Sequence, residues 1–556
     1  MLNEIKGGFR ILVGDVLQAA HESRELLHER DPDKSRVLYH RASYINTQVA
    51  LLQKQTMELF LGKTEGYKEG LYLLGISSIA SRLERMTDIL LNLDRQAGYL
   101  SDLGFLKRYR LDDFFSEILH GMAKITPALE RREVSLAILL GQVEERLDGL
   151  YADRFRKITA ALSSSGAGSK GELVTSLMIV HYLERLGDML LEIGEKIIYV
   201  IIGEKIKLEQ YKAMGAGLRA TGRRNMLGKM GFRSIWGGRS GCRIGVLGDS
   251  EAPTGAGPGS ETVLFKHGPD FKLTRERDNL KLWGQLRPGL TPQVKAFLPA
   301  VAGREATLIL EYVPSRNLQT LFMENAPEEA FQGLERVMQV MAGVWWETRK
   351  DGQVLAEFVR QAQTRLVGAG CLYPQLIGKK GAIGPMPIES LASLLQALLP
   401  TEPSVPAPCG MRIHGDFNLS NILYDPDSGR VHVLDLYRSR ESDYVQDVSV
   451  MLVSILRLPV FNPDTRRRLN AAADQAYVFA EDFARNLGDD TYKARLAFGL
   501  ARSFLSSTRF VLEERLAVKF IERTRYILEK LLCHARSGKP LGSFALDKGV
   551  LSIDPN

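Results

Sequence analysis

At 556 residues the chain is longer than one hydrophobic core ordinarily holds, so two or more domains are expected. A composition of 45% hydrophobic and 25% charged residues excludes a largely disordered protein, and a formal charge of +7 is too mild over this length to imply nucleic acid by itself. The four cysteines, Cys242, Cys371, Cys409 and Cys533, form no CxxC pair, which argues against a zinc ribbon or a disulfide frame and for buried, reduced thiols.

The first residues, MLNEIKGGFRILVGD, lack the basic start, long apolar run and cleavage site of a signal peptide. The most apolar runs, 197–202 and 451–456, fall short of the roughly 20 residues that span a bilayer. A cytoplasmic protein without a transmembrane segment is expected. Residues 1–34 read as an N-terminal helical extension. Residues 35–210 have almost no proline and carry apolar residues at three- and four-residue spacing, as over 79–100 and 173–200, which predicts an all-helical domain. Within it LERMTDILLNL, from Leu83, recurs as LERLGDMLLEI from Leu183, 100 residues on, so one helical unit is present twice.

The repeat carries carboxylates. Glu84 and Asp88, Glu184 and Asp188, and also Glu144 and Asp148, are each four apart and project from one face of a helix. Grouped on adjacent helices, such oxygens suit Mg, Mn, Fe or Zn; alone, each pair is equally a surface salt-bridge partner for a neighbouring arginine. The string LERLGDMLLEIGEKIIYVIIGE resembles the closing helix of the PhoU family, which implies two similar three-helix bundles over about 35–210, acidic metal-binding motifs, and a protein partner in phosphate signalling. By that resemblance Glu144, Asp148, Glu184 and Asp188 would hold Fe, Mn or Zn. The first copy has Asn46 and Gln48 where partner acids are expected, which leaves Glu84 and Asp88 without a matching pair.

Residues 211–240 are rich in glycine and basic side chains, from Lys212 and Arg219 to Arg233 and Arg239, and contain no acid, which predicts a linker: a solvated tether, or a surface for anionic lipid or phosphate. The period then changes. CRIGVLG, ETVLFK and ATLILEYV read as strands of a small sheet lobe running to about Val313. Helix follows over 318–346, and 368–408 reads as loops around one short helix. This second domain is expected over 241–545, with a tail at 546–556.

Its most specific string is IHGDFNLSNILY, followed by VHVLDLYRSRESDYVQD. Phosphoryl transfer needs a carboxylate for the proton of the attacking hydroxyl and ligands for magnesium. Asp416, Asn421 at the interval found in the protein-kinase catalytic loop, and Asp435 at the end of the next strand supply them. The alternative, a strand-end turn capped by Asp416, would not require the other groups. The string resembles the aminoglycoside phosphotransferase and choline kinase-like superfamily, whose loop reads HGDxxxxN. The resemblance implies ATP and Mg2+, Asp416 as catalytic base, His414 as a brace, Asn421 and Asp435 as magnesium ligands, and Asp447 as a structural aspartate. It further implies Lys266 at the α- and β-phosphates, Glu276 as its partner, and a hinge for adenine at Glu311 and Val313. A solvated strand edge is the other reading of Lys266. Asn418 replaces the second histidine of many relatives, Leu436 follows Asp435, and SGCRIGVLG has Gly241 and Gly245 but no glycine-loop fingerprint.

The expected fold is multidomain: an all-α PhoU-like pair of three-helix bundles, then an α+β bilobal kinase-like fold. The expected function is transfer of the ATP γ-phosphoryl group to a hydroxyl of a small molecule, with regulation linked to phosphate or metal. The rival is a non-catalytic phosphate-signalling regulator with a nucleotide-binding kinase-like domain. Nucleic acid is not an expected partner, and a homodimer stays open.

Overall fold

The computed structural model describes residues 2–63, 66–163, 169–222, 231–235, 241–248, 262–300, 305–324, 327–377, 381–383, 386–460, 462–511 and 513–553. The chain divides into two compact units, Met1–Gly237 with Gly245–Glu251, and Gly238–Ile244 with Ala252–Asn556.

The first unit is built from helices α1 (Leu2–His28), α2 (Pro32–Lys63), α3 (Tyr67–Ala97), α4 (Asp112–Met122), α5 (Ile125–Glu130), α6 (Val134–Ser163), α7 (Lys170–Ile202) and α8 (Leu208–Ala220). Helix α1 packs on both α2 and α3, so residues 2–28 lie inside the first bundle; α4, α6 and α7 form the second, with α5 against it. Apolar spacing explains the seam. Ile76, Ile79, Leu83, Met86, Leu90 and Leu93 of α3 are buried at steps of three and four, as are Ile179, Leu183, Leu186, Leu190, Ile193 and Ile197 of α7. The two copies of the repeat thus sit on the two helices that pack against each other along the middle of the unit. Gly75 permits their close approach, since a Cβ there would meet Val200 Cγ2 at 2.1 Å.

Two expectations are corrected here. Residues 211–220, read as linker, continue α8, which buries Tyr211, Met214 and Leu218 on one face; the glycines and basic residues in between conceal that period. Lys212 of this helix pairs with Glu145 at 2.7 Å. The rest of the expected linker, 223–230 and 236–240, and the long turn in GDSEAPTGAGPGSE, at 249–261, lie outside the described residues. Nor are all the thiols buried: Cys409 is, but Cys371 and Cys533 are exposed, and none of the four is in a disulfide.

Strand β1 (Gly231–Ser234) pairs antiparallel with β2 (Arg243–Gly248), which covers CRIGVLG. In the second unit β3 (Val263–Gly268) and β4 (Val294–Leu298) flank β5 (Ala306–Glu311), all antiparallel, with Lys266 opposite Leu308 and Val263 opposite Glu311. Helix α9 (Asp270–Leu286) follows β3 and packs on this sheet. The remainder is mainly helical. The helix Val445–Leu456 is buried along its whole length beneath Pro463–Leu487 and Tyr492–Thr508. Two small antiparallel sheets frame the central loop: Ala407–Ile413 pairs with Arg440–Ser442 and Lys350–Val354, and Ile422–Asp425 forms a hairpin with Arg430–Val433. The stretch 368–408 is richer than expected, since it ends one helix (Phe358–Leu372) and holds two more (Pro374–Ile377 and Leu391–Leu398) with a short hairpin. No helix among the described residues is long and apolar enough to cross a membrane.

Candidate active site

Strand β3 carries a buried lysine. Lys266 Nζ lies 2.5 Å from Glu276 Oε1 on α9 and 3.2 Å from Asp435 Oδ1, with the Lys266 and Glu276 side chains 4% and 2% exposed. The solvated-edge reading of Lys266 is therefore overturned. Burial alone would lower the lysine, but the charges of Asp435 and Glu276 outweigh it and hold the ammonium firmly protonated. Burial likewise pushes Asp435 up, and Lys266 reverses this, leaving the carboxyl below its ordinary range. For Glu276 burial prevails and the group stays above its ordinary range. Asp435 also adopts a left-handed backbone, φ 62°, uncommon for a residue other than glycine. That turn is pinned by Asn279 of α9, whose Nδ2 donates to the carbonyls of Leu436 at 2.7 Å and Ser439 at 3.1 Å.

The loop after strand Ala407–Ile413 carries the most specific residues. Asp447, on the buried helix, accepts hydrogen bonds from the backbone N–H of His414 at 2.7 Å and of Gly415 at 2.8 Å. Burial raises Asp447 to about 7 against these two donors. Gly415 has φ +83°, and a Cβ there would lie 2.4 Å from the carbonyl oxygen of Arg438, so both conformation and space require glycine. His414 is fully buried edge-on to Trp283, and burial lowers its pKa, keeping the imidazole neutral; its Nδ1 accepts from the Asp416 N–H at 3.3 Å. The Asp416 carboxylate faces Arg438 Nη1 at 3.2 Å and accepts a hydrogen bond from Asn418 Nδ2. Asn421 donates from Nδ2 to the Asp416 carbonyl at 2.9 Å, and its Oδ1 accepts no hydrogen bond among the described residues.

Glu311 closes β5, with its Oε2 accepting from the Gln293 N–H at 3.1 Å, and Val313 follows, its carbonyl accepting from Ser315 N–H at 2.9 Å. Of the residues singled out in the second domain, Lys266, Glu276 and Asp435 touch directly, as do His414, Asp416 and Asn421 in the loop. Sequence reasoning missed Arg438, Asn279 and Trp283. Arg438 had a visible signal, standing three residues after Asp435; the other two are recognisable only once α9 is placed.

In the first unit Glu144 and Asp148 on α6 face Glu184 and Asp188 on α7. Burial, then the neighbouring carboxylates, raise Glu144 and Glu184 to about 7. Asp148 and Asp188 are raised as well, mainly by burial. No three of these side chains form a metal-holding group among the described residues. In the first copy Gln48 donates to Asp15 Oδ2 of α1 at 3.0 Å.

Both halves have counterparts among known proteins. Residues 272–487 match the model of the phosphotransferase enzyme family (APH), and this match, together with the loop just described, supports a phosphotransferase. The N-terminal half matches PhoU homologues. It is similar to the phosphate-specific transport system accessory protein PhoU homolog 1 of Thermotoga maritima, 23% identical over 198 residues that cover 35% of this chain and 84% of that protein. Among solved structures, PhoU of Streptococcus pneumoniae is 22% identical with a TM-score of 0.35, covering 37% of this chain and 97% of that one. The aminoglycoside phosphotransferase APH(3'')-Id of Streptomyces rimosus is 18% identical with a TM-score of 0.32, covering 57% and 97% respectively.

Proposed function

We propose that the second unit transfers the γ-phosphoryl group of ATP to a hydroxyl of a small molecule. The observation that carries this reading is the meeting of Lys266, Glu276 and Asp435 at one buried point, in the same unit as a loop that presents the Asp416 carboxylate. Asp416 would accept the acceptor's hydroxyl proton as its oxygen bonds to the γ-phosphorus. The bond from that phosphorus to the β,γ-bridging oxygen breaks, and ADP leaves with the electron pair. Lys266, held charged by its two carboxylates, suits the α- and β-phosphates, and Glu311 to Val313 the adenine edge. His414 would position the loop as a neutral brace.

Asp435 and Asn421 are the residues that would hold magnesium. The donor set fits a hard cation: Asp435 is kept ionised beside Lys266, and Asn421 Oδ1 is uncommitted among the described residues. Magnesium in such a site neutralises phosphate charge.

For the first unit we propose regulation linked to phosphate or metal status, a reading supported by the names of its PhoU relatives. Glu144, Asp148, Glu184 and Asp188 would be the residues to hold Fe, Mn or Zn there; as they stand they do not form a ligand group, and no step of the activity runs through them.

The test is ADP release from magnesium ATP across a panel of hydroxyl-bearing metabolites. Acceptor-dependent release supports the reading, and a protein that binds no magnesium ATP overturns it.

A further inference from the structure

On one side of Asp416 the second unit holds a cavity of about 260 Å³. Its described walls carry six cationic side chains, Lys272, Arg365, Arg438, Arg457, Arg502 and Arg509, and one carboxylate, that of Asp416. The cations converge from separate elements: Lys272 from α9, Arg438 from the turn after Asp435, Arg365 from Phe358–Leu372, and Arg502 from Tyr492–Thr508, with Arg509 just past its end. Asp416 is already engaged by Arg438 at 3.2 Å. Arg502, 7% exposed, donates to Gln361 Oε1 at 3.0 Å and Ser503 Oγ at 3.2 Å, both neutral. Arg365 makes no ion pair or hydrogen bond among the described residues, and Arg509 contacts only the ring of Phe510 as a charged group. Burial, then repulsion from neighbouring guanidiniums, depresses two of them: Arg365 falls below its ordinary value and Arg502 to about 10.

Folding gains nothing from gathering like charges in a half-buried hollow, since burial of unpaired charge is costly. An anion in the cavity would relieve that cost. The cavity is lined by Asp416 but not by Lys266, Asp435 or Asn421, the groups assigned to the nucleotide and its metal. We infer that the acceptor is a small hydroxyl compound bearing a phosphate or carboxylate group, which Arg365, Arg502 and Arg509 hold while its hydroxyl meets Asp416. This deepens the phosphotransferase reading and rests on it. The chemistry is unchanged: the hydroxyl proton passes to Asp416, the new bond joins the acceptor oxygen to the γ-phosphorus, and ADP is released. Polycationic amino sugars are repelled by the same walls and are poor acceptors.

The experiment uses the full chain in two arms. In the first, sugar monophosphates and hydroxycarboxylic acids are each compared as acceptors with their uncharged counterparts and with amino sugars. The anionic member of a pair is expected to have a kcat/KM at least about tenfold higher, as for one charge-assisted hydrogen bond, and the arm with the larger ratio tells phosphate from carboxylate. Preference for neutral or cationic acceptors overturns the inference and leaves the phosphotransferase reading standing. In the second arm the protein is saturated with magnesium and a non-hydrolysable ATP analogue, and binding of inorganic phosphate is measured by calorimetry. Saturable binding is expected, about tenfold weaker in Arg365→Gln with the analogue's affinity kept. A substitution that weakens the analogue and not phosphate assigns the cluster to the donor and overturns the inference. Failure of the wild type to bind the analogue at all overturns the phosphotransferase reading itself.

Discussion

Asp447 reaches the loop that carries Asp416 only through backbone, which makes its removal a clean probe of how the loop is held. In Asp447→Ala the N–H groups of His414 and Gly415 lose their acceptor at buried positions. Each stranded donor costs about 1–3 kcal/mol, so the substitution should remove about 2–6 kcal/mol, against the roughly 5–15 kcal/mol of a typical domain. Asp447→Asn keeps one acceptor and turns an N–H toward the other donor, for a loss of about 1–3 kcal/mol. Three of the four tryptophans, Trp283, Trp345 and Trp346, lie in the second unit, so urea titration followed by tryptophan fluorescence reports on that unit. The pH dependence gives a sharper reading. Asp447 is raised in the folded state to about 7, so the native protein binds its proton more tightly than the unfolded chain, and stability falls as pH rises from the ordinary value of 3.8 through 7. Asparagine does not titrate. The advantage of wild type over Asp447→Asn should narrow between about pH 4 and about pH 7, by up to the order of 4 kcal/mol. A difference independent of pH, or an alanine variant as stable as wild type, would refute the role assigned to Asp447.

Asp435→Asn should weaken magnesium-dependent nucleotide binding at least as much as the roughly 10–100-fold that outer-shell partners cost; calorimetry with and without magnesium measures it, and unchanged affinity would count against Asp435 as a ligand. Gly415→Ala forces a side chain onto the Arg438 carbonyl at a positive φ and should cost roughly 1–3 kcal/mol or more in the same urea titration. Elemental analysis of the full chain, purified without chelator after metal supplementation, tests the helical carboxylates: Fe, Mn or Zn retained by wild type and lost in the Glu184→Ala, Asp188→Ala double variant is the expected result, and a metal-free wild type leaves these acids as an unfilled, repelling face.

The helical half was legible because its apolar period runs unbroken over long stretches and its repeat places Leu83 and Leu183 at equivalent points of α3 and α7. The candidate site in the loop after residue 413 could be proposed from sequence because the interval from Asp416 to Asn421, with Asp435 at a strand end, is a short chemical code within one stretch of chain. What could not be read is what distant elements bring together. Residue spacing gives no hint that Arg365 and Arg502, from helices far apart in the chain, line one cavity with Asp416, or that Asn279 pins the turn after Asp435. The end of the bundle was misplaced because the glycines and basic residues of α8 outweighed, by composition, the three apolar positions that fold it. Helix α1 joins the first bundle through packing on α2 and α3, a partnership its own sequence does not announce.

The central claim is that Asp416 serves as the base for phosphoryl transfer from ATP. Its most direct measurement is the transfer of γ-labelled phosphate from magnesium ATP to an acceptor by wild type and by Asp416→Asn, with nucleotide affinity measured alongside. The account predicts that the variant binds magnesium ATP about as tightly as wild type and transfers about 100-fold more slowly or worse, the usual worth of a positioned base. Equal transfer by the two proteins would contradict it.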